Sequence, residues 1–172
     1  ACRAGLGVIG DSYVIINEKY GSFVFIAEVF TDIESERFGC DKNGEYPLSY
    51  CVHCGACKRA CPMISEGMDC LSAVTQKKGE LSEKEKEYII KYKSAWGCDI
   101  CQLACPMVQK AIKNGARTPI SFFRENRIKN LTTEELCGMS DEEFRKRAFS
   151  WRGKATIKRN IDLLCGKGGA HE

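Results

Sequence analysis

Cysteine dominates the residues of this chain that could do chemistry. Of 172 residues, 12 are Cys, several-fold above ordinary usage. Their spacing is more informative than their number. Cys51, Cys54, Cys57 and Cys61 form C-x2-C-x2-C-x3-C, followed at once by Pro62. Cys98, Cys101 and Cys105 form C-x2-C-x3-C, followed by Pro106. Cys70 stands alone between the two runs. A [4Fe-4S] cube needs four thiolates at the corners of a tetrahedron. Three thiolates at x2 spacing fit one tight loop around one cube, and the Cys before Pro points away to serve a second cube. The proline lacks a backbone N–H and stops the turn from continuing backwards as a helix. On this rule one cluster takes Cys51, Cys54, Cys57 and Cys105. The other takes Cys98, Cys101, Cys70 and Cys61. Crossed fourth ligands would tie the two runs into one folded unit. Cys70 lies 28 residues before Cys98, so the segment between them must loop out and return.

Other uses of these thiols fit less well. Structural zinc prefers paired C-x2-C knuckles that close a single tetrahedron. A disulfide framework needs an oxidising compartment, and the start of the chain carries no charged head followed by an apolar core and cleavage site. The reading is a reducing, cytoplasmic setting. Cys2, Cys40, Cys137 and Cys165 have no partner at ligand spacing and are expected to be free thiols. Cys165 ends an apolar helical face and is expected in the core.

Composition sets outer bounds. With 44% hydrophobic and 28% charged residues, the chain is neither disordered nor fibrous. No stretch approaches the roughly 20 apolar residues a membrane-spanning helix needs. Net charge is +3, but residues 1–106 carry 12 Lys+Arg against 15 Asp+Glu, and residues 107–172 carry 14 against 8. A basic rear suggests a polyanion nearby or a solvated basic helical surface. Residue 1 is Ala rather than Met, so the chain is expected to begin inside a longer protein.

The elements that must position the cysteines are legible in outline. Residues 8–17 (VIGDSYVIIN) and 22–30 (SFVFIAEVF) are rich in Val, Ile, Phe and Tyr and read as two strands. Asn17 to Gly21 reads as the turn between them. Two strands alone are marginal, which again suggests a larger sheet. Residues 31–50 read as a loop. Ser82 and Glu85 form a capping box that starts a helix over about Glu83 to Lys93, with Tyr88, Ile89 and Tyr92 on one side. This helix supplies the excursion between Cys70 and Cys98. Pro106 opens a helix running to about Asn114. Thr132 with Glu135, and Ser140 with Glu143, are further capping boxes, the second starting a helix that ends near Phe149. A last helix runs from about Ala155 to Leu164 and stops at Gly166. Its apolar stripe is Ile157, Ile161 and Leu164.

Taken together, these motifs resemble the iron–sulfur half of the epoxyqueuosine reductase family, cobalamin-dependent enzymes of tRNA modification. Ala4 to Gly10 resembles its A-G-L-G-x-I-G segment. Asn17 to Asp32 (NEKYGSFVFIAEVFTD) resembles its N-x-x-x-G-S-F-x-F-[IL]-[AG]-E-x-x-x-D segment. Gly97 to Pro106 (GCDICQLACP) resembles its G-C-D-D-C-Q-L-x-C-P stretch. Trp151-Arg152-Gly153 and Arg159-Asn160 resemble its R-x-G…R-N ending. The cysteine runs alone are shared with many ferredoxins, whereas the combination is specific.

The resemblance implies an α+β fold: a ferredoxin-like two-[4Fe-4S] domain, an N-terminal strand pair from a larger corrinoid-binding sheet, and C-terminal helices. It implies residues 1–47 as part of a corrinoid-binding α/β domain, 48–116 as the two-cluster domain and 117–172 as a helical segment. It implies two [4Fe-4S] clusters that pass electrons from an external donor, such as a flavodoxin or ferredoxin, to a bound cobalamin that reduces epoxyqueuosine in tRNA to queuosine. Corrinoid contacts carried over from the family fall at Ile15, Ile26 and Leu71. The family's catalytic acid lies before A-G-L-G, so the acid is expected upstream of this chain. After Ile9-Gly10 the family commonly has Lys-His or Lys-Asn, where this chain has Asp11-Ser12. That replaces a cation with an anion close to the implied cofactor pocket. Any tRNA contact would fall to basic residues such as Arg124, Arg127, Lys129, Lys154, Lys158 and Arg159. Two other readings share part of this pattern. A reductive-dehalogenase-like corrinoid reductase has the same two-cluster plan, and a non-catalytic two-cluster electron carrier needs only the eight cysteines.

Overall fold

The computed structural model describes residues 1–34, 37, 51–125, 127, 128 and 130–166. Cys40 and Lys129 lie outside them, as does most of the expected loop 31–50. The chain divides into two compact units: Ala1–Cys61 with Ile100–Pro119, and Pro62–Asp99 with Ile120–Glu172.

In the first unit, β1 (Val8–Ile9) pairs antiparallel with β2 (Ile15–Ile16). The hairpin therefore lies inside the stretch 8–17 that reads as one strand. The physical reason is the Gly10-Asp11-Ser12 turn: Gly10 N–H donates to Val14 C=O, and Tyr13 N–H donates to Gly10 C=O. Tyr13 takes a left-handed φ of 61° there. Residues 22–30, expected as the second strand, pair with no strand among the described residues. Asn17 and Gly21 form an isolated bridge. The Asn17 side-chain oxygen accepts the N–H groups of Lys19 and Tyr20, which closes the turn.

Two glycines of this unit mark close approaches. A Cβ on Gly7 would run into the Ile16 carbonyl, which gives the A-G-L-G segment a steric reason. A Cβ on Gly21, where φ is 67°, would sit 3.2 Å from Val108 Cα and 3.4 Å from Ala111 Cβ. The turn thus packs directly on α6 (Pro106–Lys113), whose Val108 and Ala111 are buried. Helix α1 (Ala56–Ala60) packs on α5 (Ile100–Leu103).

The second unit is helical. It holds α2 (Pro62–Ser65), α3 (Leu71–Gln76), α4 (Glu83–Tyr92), α7 (Thr133–Gly138), α8 (Asp141–Arg145) and α9 (Lys154–Leu164). All three expected capping boxes form. Helix α8 ends four residues earlier than the expected Phe149. A 3-10 turn over Ser150–Arg152 follows, and Phe149 folds back on Phe144 with ring centroids 5.9 Å apart. Helix α9 packs on α3, α4 and α7. One core cluster joins Val74, Leu81, Ile89 and Leu163, and another joins Leu136, Phe144, Ile157 and Ile161. Cys165, expected in the core, is exposed. It lies one residue beyond the last turn of α9, past the stripe that faces inward. No helix among the described residues is long and apolar enough to cross a membrane.

Glu85 is the most constrained carboxylate. It accepts two bonds from Lys77 Nζ, at 2.8 and 3.0 Å, and one from Ser82 N–H at 2.7 Å. The Lys77 bond, joined by the Ser82 bonds and opposed by burial, holds its carboxyl below the usual range. The stabilisation is complete above the unfolded-state pKa, near ~4.3, and is lost as pH falls through the lower folded value. Glu85→Gln should therefore lower the thermal midpoint at pH 7, and the gap to the parent should close on acidification below pH ~4. Ser82→Ala should cost about 1 kcal/mol in denaturant unfolding. Ile89, fully buried, should cost roughly 2–5 kcal/mol on truncation to Ala.

Candidate metal centre

The loop of residues 51–55 leads into α1, and Cys105 stands at the start of α6. Cys105 is the N-cap of α6, with Pro106 as the first helical residue. Cys105 C=O accepts Gln109 N–H at 2.9 Å, so its backbone begins the helix while its thiol stays outside the hydrogen-bonded ladder. The loop is closed locally. Arg59 Nη1 donates to Cys54 C=O at 2.9 Å, and Arg59 N–H donates to Gly55 C=O at 3.0 Å. Cys61 N–H donates to the carbonyls of Cys57 and Lys58, which ends α1 before Pro62.

The result is one recess lined by Cys51, Cys54, Cys57 and Cys105. These are four free thiols that line one hollow within one unit. Four soft donors in one hollow fit an iron–sulfur centre. Asp11, Ser12 and Ile16 of the hairpin line the same recess.

Cysteine spacing gave no sign of His53. It sits inside the first x2 spacer with a left-handed φ of 51°. Its Nδ1 lies 2.9 Å from Asp11 Oδ1 and 3.8 Å from Cys51 Sγ. Ligand atoms of Asp11, Cys51 and His53 all fall within 4.8 Å of one another. The anion that departs from the family pattern at position 11 is thus matched by the imidazole of His53. A histidine between two cysteines of the first run was the available signal, but its carboxylate partner lies 42 positions away.

The four cysteines of the second expected cluster are divided between the units. Cys61 ends α1 and Cys101 lies in α5, both in the first unit. Cys70 is the N-cap of α3, and Cys98 follows the loop after α4, both in the second. Of the residues expected at a corrinoid, Ile15 is half-buried in β2 and Ile26 is exposed. Leu71 is fully buried as the first residue of α3. The basic residues expected at tRNA are not equally available. Lys158 pairs with Asp162. Lys154 donates to Met139 C=O at 2.6 Å. Arg159 donates to Gly79 C=O and to the Asn160 side chain. Arg124 and Arg127 are exposed.

Comparison with known proteins finds one family model and a set of relatives. The 4Fe-4S binding domain family model matches residues 48–64 and 92–108. The epoxyqueuosine reductase of Lactococcus garvieae is 32% identical over 96% of this chain and 47% of its own length. The solved epoxyqueuosine reductase of Streptococcus thermophilus superposes with a TM-score of 0.59 at 28% identity, covering 96% of this chain and 44% of that one. A crystal structure of epoxyqueuosine reductase with a tRNA-Tyr epoxyqueuosine-modified stem loop shares the fold, with a TM-score of 0.56 at 24% identity and the same two coverages. The chain spans about half the length of the curated relatives it matches. It is similar to epoxyqueuosine reductases along almost all of its own length.

Proposed function

We propose that this chain is the electron-delivery part of an epoxyqueuosine reductase. The observation that carries the reading is the recess in which Cys51, Cys54, Cys57 and Cys105 converge. Those four hold the first [4Fe-4S] cluster. Cys61, Cys70, Cys98 and Cys101 hold the second, on the strength of motif spacing. Residues 48–116 then act as a ferredoxin-like two-cluster domain, and residues 117–172 as a helical segment. Residues 1–47 contribute a strand pair to a larger corrinoid-binding sheet. The exposed apolar side chains of Phe25, Val29 and Phe30 support that reading, since such a patch suits burial against another segment.

When bound, the clusters supply single electrons, and a cobalamin supplies the low-valent cobalt that deoxygenates the epoxide. The overall conversion consumes two electrons and two protons, breaks both C–O bonds of the epoxide, and yields the alkene and water. The chain's own residues hold the thiolates in place, exclude water around them, and offer Ile15, Ile26 and Leu71 to the corrinoid. The acid that delivers the proton is assigned to the part of the enzyme outside this chain. The substrate base lies in tRNA, as in the solved relative bound to a stem loop. Exposed Arg124 and Arg127 are the basic residues best placed for phosphate contact, which is salt-sensitive and carries no sequence information. The electron donor is a flavodoxin or ferredoxin, and the setting is the cytoplasm.

Anaerobic reconstitution should load about eight irons per chain. Cys105→Ala should leave about four, because it opens only the first ligand set. Unchanged iron content in that variant would rule out Cys105 as a ligand. Joined to the rest of the enzyme, the loaded protein should shift the visible spectrum of added cobalamin and restore queuosine in tRNA from a reductase-deficient strain. Turnover of a halogenated substrate without tRNA activity would instead favour a dehalogenase-like reaction.

A further inference from the structure

In the second unit, the two segments that carry Cys70 and Cys98 are bound into one frame by two buried polar side chains that no cofactor contact explains. Thr75 and Asn160 are both fully buried. Thr75 lies in α3, five residues after Cys70 caps that helix. Its Oγ1 donates to Ser72 C=O at 3.0 Å and accepts Gly97 N–H, the residue before Cys98, at 3.0 Å. Asn160 reaches from α9 and splits its two donors. One hydrogen bond goes to Thr75 C=O at 2.6 Å, the other to Ala95 C=O at 2.8 Å. Its Oδ1 is held by Arg159 Nε and Nη2, at 3.0 and 2.9 Å. Ser94 Oγ donates to Gly97 C=O at 2.6 Å. Both backbone groups of Gly97 are thus engaged immediately before Cys98.

Burying an amide and a hydroxyl is costly unless each is satisfied. Apolar residues would pack the α3–α9 contact without that cost. What the polar pair adds is direction, because hydrogen bonds fix the α3 backbone against residues 95–97 in one register. From this geometry we infer that Thr75 and Asn160 are positioning residues for the Cys70 and Cys98 thiolates. They hold in place two ligands separated by the α4 excursion. The inference rests on the two-cluster reading above and assigns a role to the Arg159-Asn160 pair other than contact with tRNA.

The test uses the full chain, reconstituted anaerobically, with iron release to a chelator followed in time. The Cys105→Ala variant identifies the phase that belongs to the second cluster. Thr75→Val keeps the shape and removes the hydroxyl. It should speed release of the second cluster's iron by about tenfold or more, the scale seen when a residue supporting a metal ligand is lost. It should leave the first cluster's phase unchanged and alter the electron paramagnetic resonance spectrum of the reduced second cluster. Thr75→Ser should restore both readouts. Ser94→Ala, a milder change on the same loop, should accelerate the same phase and serves if Thr75→Val does not fold. Equal acceleration of both phases, failure of Thr75→Ser to rescue, or parent-like release in both Thr75→Val and Ser94→Ala would overturn the positioning role. A parent protein that loads only about four irons would overturn the second cluster itself, and the inference with it.

Discussion

Four thiolates must meet at tetrahedral corners around one cube, and a single short loop supplies only three of them. That constraint organises the first unit. On the proposed assignment the fourth thiol is Cys105, 48 positions after Cys57, and its backbone needs an independent anchor. Helix α6 does this. Cys105 caps it, Pro106 starts it, and its buried Val108 and Ala111 pack against the Gly21 turn. The hairpin that ends in that turn also lines the thiol recess through Asp11, Ser12 and Ile16. One short helix therefore joins the thiol recess to the only strand pair among the described residues.

The second unit meets a related constraint with different means. Cys70 and Cys98 flank a ten-residue helix, and nothing local in the chain relates them. Apolar packing of α3, α4 and α9 brings the segments together through Val74, Ile89 and Leu163. Such packing is non-directional and tolerates small slips. The hydrogen bonds of Thr75 and Asn160 remove that freedom, because each has one geometry at full strength.

Charge at the metal recess shows how a departure from a family pattern can be accommodated. An acidic residue beside thiolates and an electron-rich cluster raises local negative charge. Asp11 does not stand alone, since His53 sits 2.9 Å away with most of its side chain open to solvent. The pair joins the hairpin turn to the cysteine loop at the lip of the recess.

Local features were legible in the sequence alone. The cysteine spacing marked the thiols that line the recess, and three capping boxes marked helix starts to the residue. Both depend on groups within a few positions of each other, so the chain encodes them directly. The strand reading missed because Val, Ile and Tyr on both sides of Gly10-Asp11-Ser12 look continuous, while the turn's own hydrogen bonds divide them. The first residue past the apolar stripe of α9 also looked buried, although Cys165 is exposed. Only the tertiary structure decided that Asp11 meets His53, that Gly21 lies on α6, and that Asn160 spans Thr75 and Ala95. Each joins residues 42 or more positions apart, a separation at which side-chain type carries no record of its partner.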